Sequence, residues 1–393
     1  MLFFNELNYS DMPASALAGI RVIDFGHYVA GPLAAMLMGD FGADVIRVDP
    51  PTGPRHDTPA NATWNRNKRS IALDLKQADD RDMALRLIDS ADVLVENFRP
   101  GVMTRLGLGA REMTARNPRL VYLSLPGFHA DDPRATLPAW EGLLSAATGC
   151  FSSNPLLKLD HPVYNCLPIP SVFGAIWGSV AAVAALNERE HSGLGQIIEA
   201  PLYAAAFSAF SGKAVRVHGK PDRSALSTFR HVLCKDGKWF LYVPRDMHKV
   251  LAKDFGFEIP AEGIHAPAVM QRAQEIFATR SSLEWEAYCI SREVEGSTCN
   301  TTREWINHPL SRESGVVQEY DDPLLGKFSG LGLHTRLSAT PASVRSPRAK
   351  LDAHRKEILA ELPTPRSAPS AHPHKVLRGA LEDRKSTRLN SSH

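Results

Sequence analysis

Several large functional classes are missing their marks in this chain. Its 393 residues hold five cysteines, Cys150, Cys166, Cys234, Cys289 and Cys299, and no two form a CxxC pair. An odd, scattered set excludes a disulfide scaffold and zinc-finger spacing, and it reads as reduced thiols in a cytoplasmic protein with no metal site. Charge of one sign is not in excess: 45 Lys and Arg face 43 Asp and Glu, for a net of +2. That balance argues against a general nucleic-acid or membrane surface. The longest apolar run, around 171–186, is short and rich in Gly and Ala, a poor membrane span. The opening MLFFNELNYSDM has no basic stretch followed by an apolar core, so it reads as no secretory signal. GxGxxG is absent as well, which leaves a nicotinamide-binding reading without support.

Alternation is what the chain does have. Residues 19–25 (GIRVIDF), 43–48 (ADVIRV), 70–75, 92–96 and 120–124 are short β-branched or apolar runs that read as buried strands. Helical spacing fills the gaps at 31–41 and 80–90. About twenty residues separate the first two strand starts, which suits a right-handed βαβ crossover. The fold class that follows is α/β, with a Rossmann-like parallel sheet covered on both faces. From 168 a proline-rich turn leads into an Ala/Val-rich helix running to 189. Its small residues (Gly174, Gly178, Ser179, Ala181, Ala182, Ala185) permit close packing. A turn at 191–196 and a further element from 197 follow. Past about 213 the texture changes. Residues 229–243 alternate around a DG turn and read as a hairpin, and the stretch to about 307 is helical and more polar.

Three stretches carry chemistry. Residues 24–32 (DFGHYVAGP) form a strand-to-helix loop, where parallel sheets bind ligands and where a helix N-terminus offers free N–H groups to phosphate. Residues 65–76 (NRNKRSIALDLK) put a basic cluster beside a strand, suited to charge-assisted bonds with anions; a solvated charged face is the plainer alternative. Residues 96–109 (ENFRPGVMTRLGLG) read as a loop entering a helix through Pro100 and Gly101.

Together these stretches resemble the family III CoA-transferases, the CaiB/BaiF family. The resemblance covers about 16–362 and is strongest over 19–127. It implies an enzyme that moves CoA between carboxylic acids, with coenzyme A entering as acyl-CoA and no metal. It implies that His27, Val29 and Ala30 contact CoA, that Leu73 and Lys76 border the adenine and phosphate, that Asn97 and Phe98 line the channel, and that Arg105 pairs with a phosphate. It further implies a large CoA-binding domain (16–214), a smaller α+β domain (215–315), a return segment (316–362) and an interlocked homodimer.

The family's nucleophile is an aspartate, which attacks the thioester, passes through an anhydride and ends as an aspartyl-CoA thioester. In the matching segment, 167–186 (LPIPSVFGAIWGSVAAVAAL), that position holds Ser171, or Pro170 with one gap. Serine needs a base and cannot form the anhydride. Spacing offers no His or Asp partner, Asp160 lies too far upstream, and the plain reading is that Ser171 N-caps the helix. Glu141 (PAWEGL) matches a family acid that orients a carboxylate or acts as acid/base; an ordinary helix glutamate is the alternative. Racemases of the family carry a His–Asp pair here, against Trp140–Glu141 in this chain. Three readings therefore stand: a transferase whose missing aspartate comes from a second copy, a non-catalytic CoA-binding or scaffolding half, and an α-methylacyl-CoA racemase. The tail fits the first: 363–383 reads as a linker and the possible start of a second copy (RGALED), and 384–393 as a sequencing artefact.

Overall fold

The computed structural model describes residues 15–151, 161–209, 217–219 and 229–362. Asp160, the linker and the tail lie outside them. The first half alternates as β1 Arg21–Asp24, α1 Ala30–Asp40, β2 Asp44–Asp49, α2 Ala60–Trp64, β3 Lys68–Ala72, α3 Ala78–Asp89, β4 Val93–Glu96, α4 Val102–Arg105, α5 Ala110–Arg116, β5 Val121–Ser124, α6 Glu141–Ala147, α7 Ile169–Ser192, β6 Ile197–Glu199 and α8 Leu202–Ser208. The six strands form one sheet in the order β3-β2-β1-β4-β5-β6, and every pairing is parallel.

Successive strand residues point to opposite faces, so both faces are apolar. Val22, Val45, Val93, Val95, Val121 and Leu123 pack against α1 and α7 on one face. Ile23, Ile46, Ile71, Leu94 and Tyr122 pack against α3, α5 and the chain's last described helix on the other. Helix α7 lies close for the reason its small residues suggest: a Cβ at Gly178 would stand 2.8 Å from Leu125 Cδ2, and one at Gly174 would stand 2.3 Å from Leu202 Cδ2. Pro170 in its first turn favours the start, and Gly193 ends it in the left-handed conformation at φ 75°. Among the described residues α7 is the one helix long and apolar enough to cross a membrane, and half of its most apolar stretch is buried in the protein.

The second half continues with β7 Arg230–Leu233, β8 Trp239–Tyr242, α9 Pro244–Phe255, α10 Pro267–Phe277, α11 Ser282–Arg292, β9 Gly296–Thr298, α12 Thr302–Asn307 and α13 Pro309–Glu313. The hairpin expected at 229–243 is β7–β8, antiparallel, with β9 added at its edge. Its core is separate, built on Phe240, Tyr242, Met247, Phe277 and Trp285. The chain returns through a hairpin, β10 Val317–Asp322 and β11 Gly326–Leu331, to α14 Arg355–Glu361. Ile358 of α14 and Leu362 just after it are buried against the large sheet.

Candidate functional site

The strand order reverses between β1 and β4: β1 leads outward through β2 to β3, and β4 returns to the other side of β1. Open parallel sheets bind ligands at the carboxyl ends of such a pair. The loops there are tied together. His27 N–H donates to Asn97 Oδ1 (2.7 Å), and Asn97 Nδ2 donates to the His27 carbonyl (2.9 Å). The His27 ring meets the Phe98 ring edge-on at 4.8 Å. Three residues expected at a CoA site thus form one unit across the crevice. Burial pushes the His27 imidazole down to about 4, helped by Arg47, and its Nδ1 is buried without a partner; the ring is neutral at physiological pH.

The other expected contacts divide. Val29 and Ala30 turn their side chains into the core, so only their main chain faces the loop, at an α1 start that no side chain caps. The loop itself is tight: a Cβ on Gly26 would stand 2.6 Å from Gly31 Cα. The Leu73 side chain is also in the core, while Lys76 is exposed just beyond β3. Arg105 is exposed at the end of α4, and among the described residues it has no ion-pair partner. All of these follow β1, β3 or β4, on one edge of the sheet.

Two members of the basic cluster, Arg66 and Lys68, are used structurally. Strand β3 starts at Lys68 rather than at 70, and Arg66 and Lys68 are buried at 0% and 3% exposure. Arg66 binds both Asp40 oxygens (3.0 and 2.6 Å), the Tyr320 hydroxyl (3.0 Å) and the carbonyls of Leu331 and Gly332. Lys68 Nζ donates to Asp24 (2.8 Å), the Pro32 carbonyl (2.8 Å) and Asn65 Oδ1 (3.0 Å). Burial pushes its ammonium down to about 8 against the attraction of Asp24. Asp24 in turn accepts from Gly26 N–H (2.7 Å). These two buried cations are not a solvated face; Lys68 braces the loop after β1, and Arg66 ties α1 to the returning hairpin.

At the nucleophile position the structure corrects the plain reading. Helix α7 starts at Ile169 with Pro168 as its N-cap, so Ser171 lies inside the first turn and does not cap it. Its hydroxyl donates instead to Glu141 Oε1 at the start of α6. Ser171 is 2% exposed. Glu141 Oε2 is buried without a partner. Burial raises the Glu141 carboxyl above its usual range, and the Ser171 hydroxyl and N–H oppose that rise in part. A chain of rings, Tyr28 to His56 (5.6 Å) to Trp140 (6.1 Å), links this pair to the loop after β1. Tyr28 is held at φ 63°, where non-glycine residues are strained.

Sequence reasoning missed two features. Glu141 is a candidate through the resemblance, but its pairing with Ser171, thirty residues further on and on another helix, lies beyond any local spacing rule. Glu96, 5% exposed at the end of β4, opens the 96–109 motif without a role that its sequence signals; its carboxyl accepts Phe98 N–H (2.7 Å) and the Ser124 hydroxyl. Burial pushes it up to about 7. It lines a cleft of about 320 Å³ with Tyr122, Ser124 and Glu199.

The fold is a doubly wound parallel sheet whose loops after β1 and β4 meet at its switch point, with the Ser171–Glu141 pair at the starts of α7 and α6. Residues 17–355 match the family profile of CoA-transferase family III, and the chain belongs to that family. A probable fatty acyl-CoA transferase of Mycobacterium tuberculosis is 34% identical over 348 residues, covering 78% of this chain and 88% of the relative. The CoA-transferase/lyase DddD of Marinomonas is 30% identical over 380 residues, covering 80% of this chain; the chain spans 45% of that relative's length. The alpha subunit of the succinyl-CoA–L-malate CoA-transferase of Chloroflexus aurantiacus is 28% identical, covering 88% of each. The fold is that of a solved CaiB/BaiF family protein from Brucella suis, with a TM-score of 0.75 at 24% identity over 89% of this chain and all of the other.

Proposed function

We propose that the chain binds an acyl-CoA at the β1/β4 switch point, with His27, Val29, Ala30, Leu73, Lys76, Asn97, Phe98 and Arg105 around the CoA moiety, and that its substrates are acyl-CoA thioesters and carboxylic acids. The observation that carries this reading is the convergence of those residues, from loops after three different strands, on one edge of the sheet. Exposed Arg105 and Lys76 supply charge for phosphate, and the uncapped start of α1 supplies N–H groups. The Val29, Ala30 and Leu73 contributions run through the main chain, since their side chains are committed to the core.

The small domain at 215–315 belongs to the same reading, supported by its separate core. So does association with a second copy, as a homodimer or a fused unit. Ile176, Trp177, Val180 and Val183 leave an exposed apolar stripe along α7, of the kind that marks a protein interface.

A second reading has two specific supports: no aspartate stands where the family nucleophile belongs, and the chain spans less than half of one two-activity relative. On it, this unit binds CoA and a second copy reacts. A racemase has less support, because Trp140–Glu141 replaces its His–Asp pair.

The test of CoA binding is calorimetry of CoA with the wild type and with Arg105→Ala. Loss of one charge-assisted phosphate contact weakens binding about tenfold, from a net value of about 1.5 kcal/mol. Equal affinity in the two proteins would remove Arg105 from the site. Transfer of CoA from succinyl-CoA to an added acid then separates an active unit from a binding half.

A further inference from the structure

We propose that Ser171 and Glu141 form a nucleophile–base pair that moves the acyl group of a bound acyl-CoA to the Ser171 oxygen and then to water, so that the chain hydrolyses acyl-CoA thioesters. The proposal rests on the acyl-CoA reading above and gives that site a reaction of its own.

Three observations support it. First, the Ser171 hydroxyl donates to a carboxylate and not to the helix backbone. A serine doing structural service in a helix bonds its own carbonyls or caps the end; this one is aimed at a base. Second, Glu141 is half used. Its Oε1 accepts from Ser171 while Oε2 is buried with no partner. Among the described residues no cation pairs with it, and burial makes it a better proton acceptor than a surface glutamate. Third, the surroundings suit developing charge. Ser171 lies in the first turn of a 24-residue helix, at the positive end of its dipole. Beside the pair Tyr28 is fixed at positive φ, with its phenol in electrostatic reach of Glu141 and Tyr164.

The chemistry closes without a co-reactant other than water. Ser171 Oγ attacks the thioester carbonyl carbon while Glu141 takes the hydroxyl proton. The C–S bond breaks with its electron pair on sulfur, which receives that proton and leaves as CoA thiol. Ser171 now carries an oxygen ester. Glu141, again a carboxylate, takes a proton from water as the water oxygen attacks the ester carbonyl. The Ser171 oxygen leaves, regains a proton, and the free acid departs. An aspartate at the same place would take the CoA; a serine can take only the acyl group, so the acceptor becomes water and no carboxylic acid acceptor is needed.

The test uses the full chain and acetyl-CoA with no acceptor acid, reading free thiol and, after acid quench, peptide masses. The expected result is thiol release with one acetyl group on the peptide carrying Ser171. Ser171→Ala and Glu141→Gln each slow release at least ~100-fold, the scale of general-base assistance. Ser171→Cys still becomes acetylated, as a thioester that hydroxylamine removes, which shows that the site stays folded around a substituted nucleophile. CoA attached to Glu141, acetyl on any other residue, or release unaffected by Glu141→Gln overturns the pair. Calorimetry on the same sample separates the two levels: CoA bound but no acylation overturns this proposal alone, and no CoA binding overturns the acyl-CoA reading with it.

Discussion

Arg66→Ala tests whether the basic cluster holds the fold or holds a ligand. Arg66 has no exposed surface and spends its guanidinium on Asp40, Tyr320 and two carbonyls of the returning hairpin. Asp40, at the end of α1, is itself 3% exposed. After truncation its carboxylate retains one donor, Asn67 Nδ2 at 2.8 Å. Removing one partner of a buried ion pair costs about 3–5 kcal/mol, because the remaining charge is left uncompensated in a dry site. The stranded carbonyls of Leu331 and Gly332 add to that, non-additively. Against a typical total of about 5–15 kcal/mol, this is a large fraction.

Urea unfolding at pH 7, followed by circular dichroism, measures it, with the slope checked for two-state behaviour. The double variant Asp40→Leu/Arg66→Met removes both charges and recovers most of the loss, since an apolar pair of similar volume is often no worse than the ion pair. A single-variant loss under about 1 kcal/mol would refute the structural assignment. If such a small loss came with a large drop in CoA affinity, Arg66 would belong to the ligand site as the bare motif suggests.

Two further outcomes follow from the same geometry. Glu96 keeps its proton up to about pH 7 in the folded chain, and the unfolded carboxyl loses it near 4.5. The folded state therefore binds the extra proton between those values, and the stability it confers is complete below pH 4.5 and lost as pH rises through 7. At about 1.4 kcal/mol per tenfold, Glu96→Gln gains up to about 3 kcal/mol over the wild type at pH 8 and nothing at pH 4; a difference independent of pH, read from urea melts, would refute the raised affinity. On α7, Trp177→Glu puts a charge into the exposed stripe, so light scattering reads a twofold smaller mass than the wild type; a wild type that is already monomeric, or a variant of unchanged mass, removes the stripe from the interface.

The strands were legible because each is a short apolar run, and β1, β2, β4 and β5 begin within two residues of the expected starts. Strand β3 also begins within two residues of its expected start but ends at Ala72 rather than 75, and its opening on Lys68–Arg69 looks like solvent-facing sequence. Only Asp24, Asn65 and the Pro32 carbonyl, drawn from other elements, make a lysine acceptable there. The loops of the crevice were legible as motifs, yet the His27–Asn97 bonds that join them span seventy residues. The contact between Ser171 and Glu141 was invisible for the same reason. Local pattern reports what a residue does to its own helix or strand, and the site is assembled from what the topology brings together.

That assembly also explains how the substitution at 171 is tolerated. The resemblance places an aspartate there, and the structure places Glu141 within hydrogen-bond reach of the same spot. Two carboxylates so close cannot both ionise without a large rise in one proton affinity. With serine at 171 the repulsion is gone, and the hydroxyl satisfies one Glu141 oxygen beside the positive end of α7. The position expected to carry an aspartate thus holds a hydroxyl, with Glu141 as the carboxylate beside it. A change that reads in the sequence as the loss of a nucleophile leaves, in three dimensions, a hydroxyl already oriented toward a base.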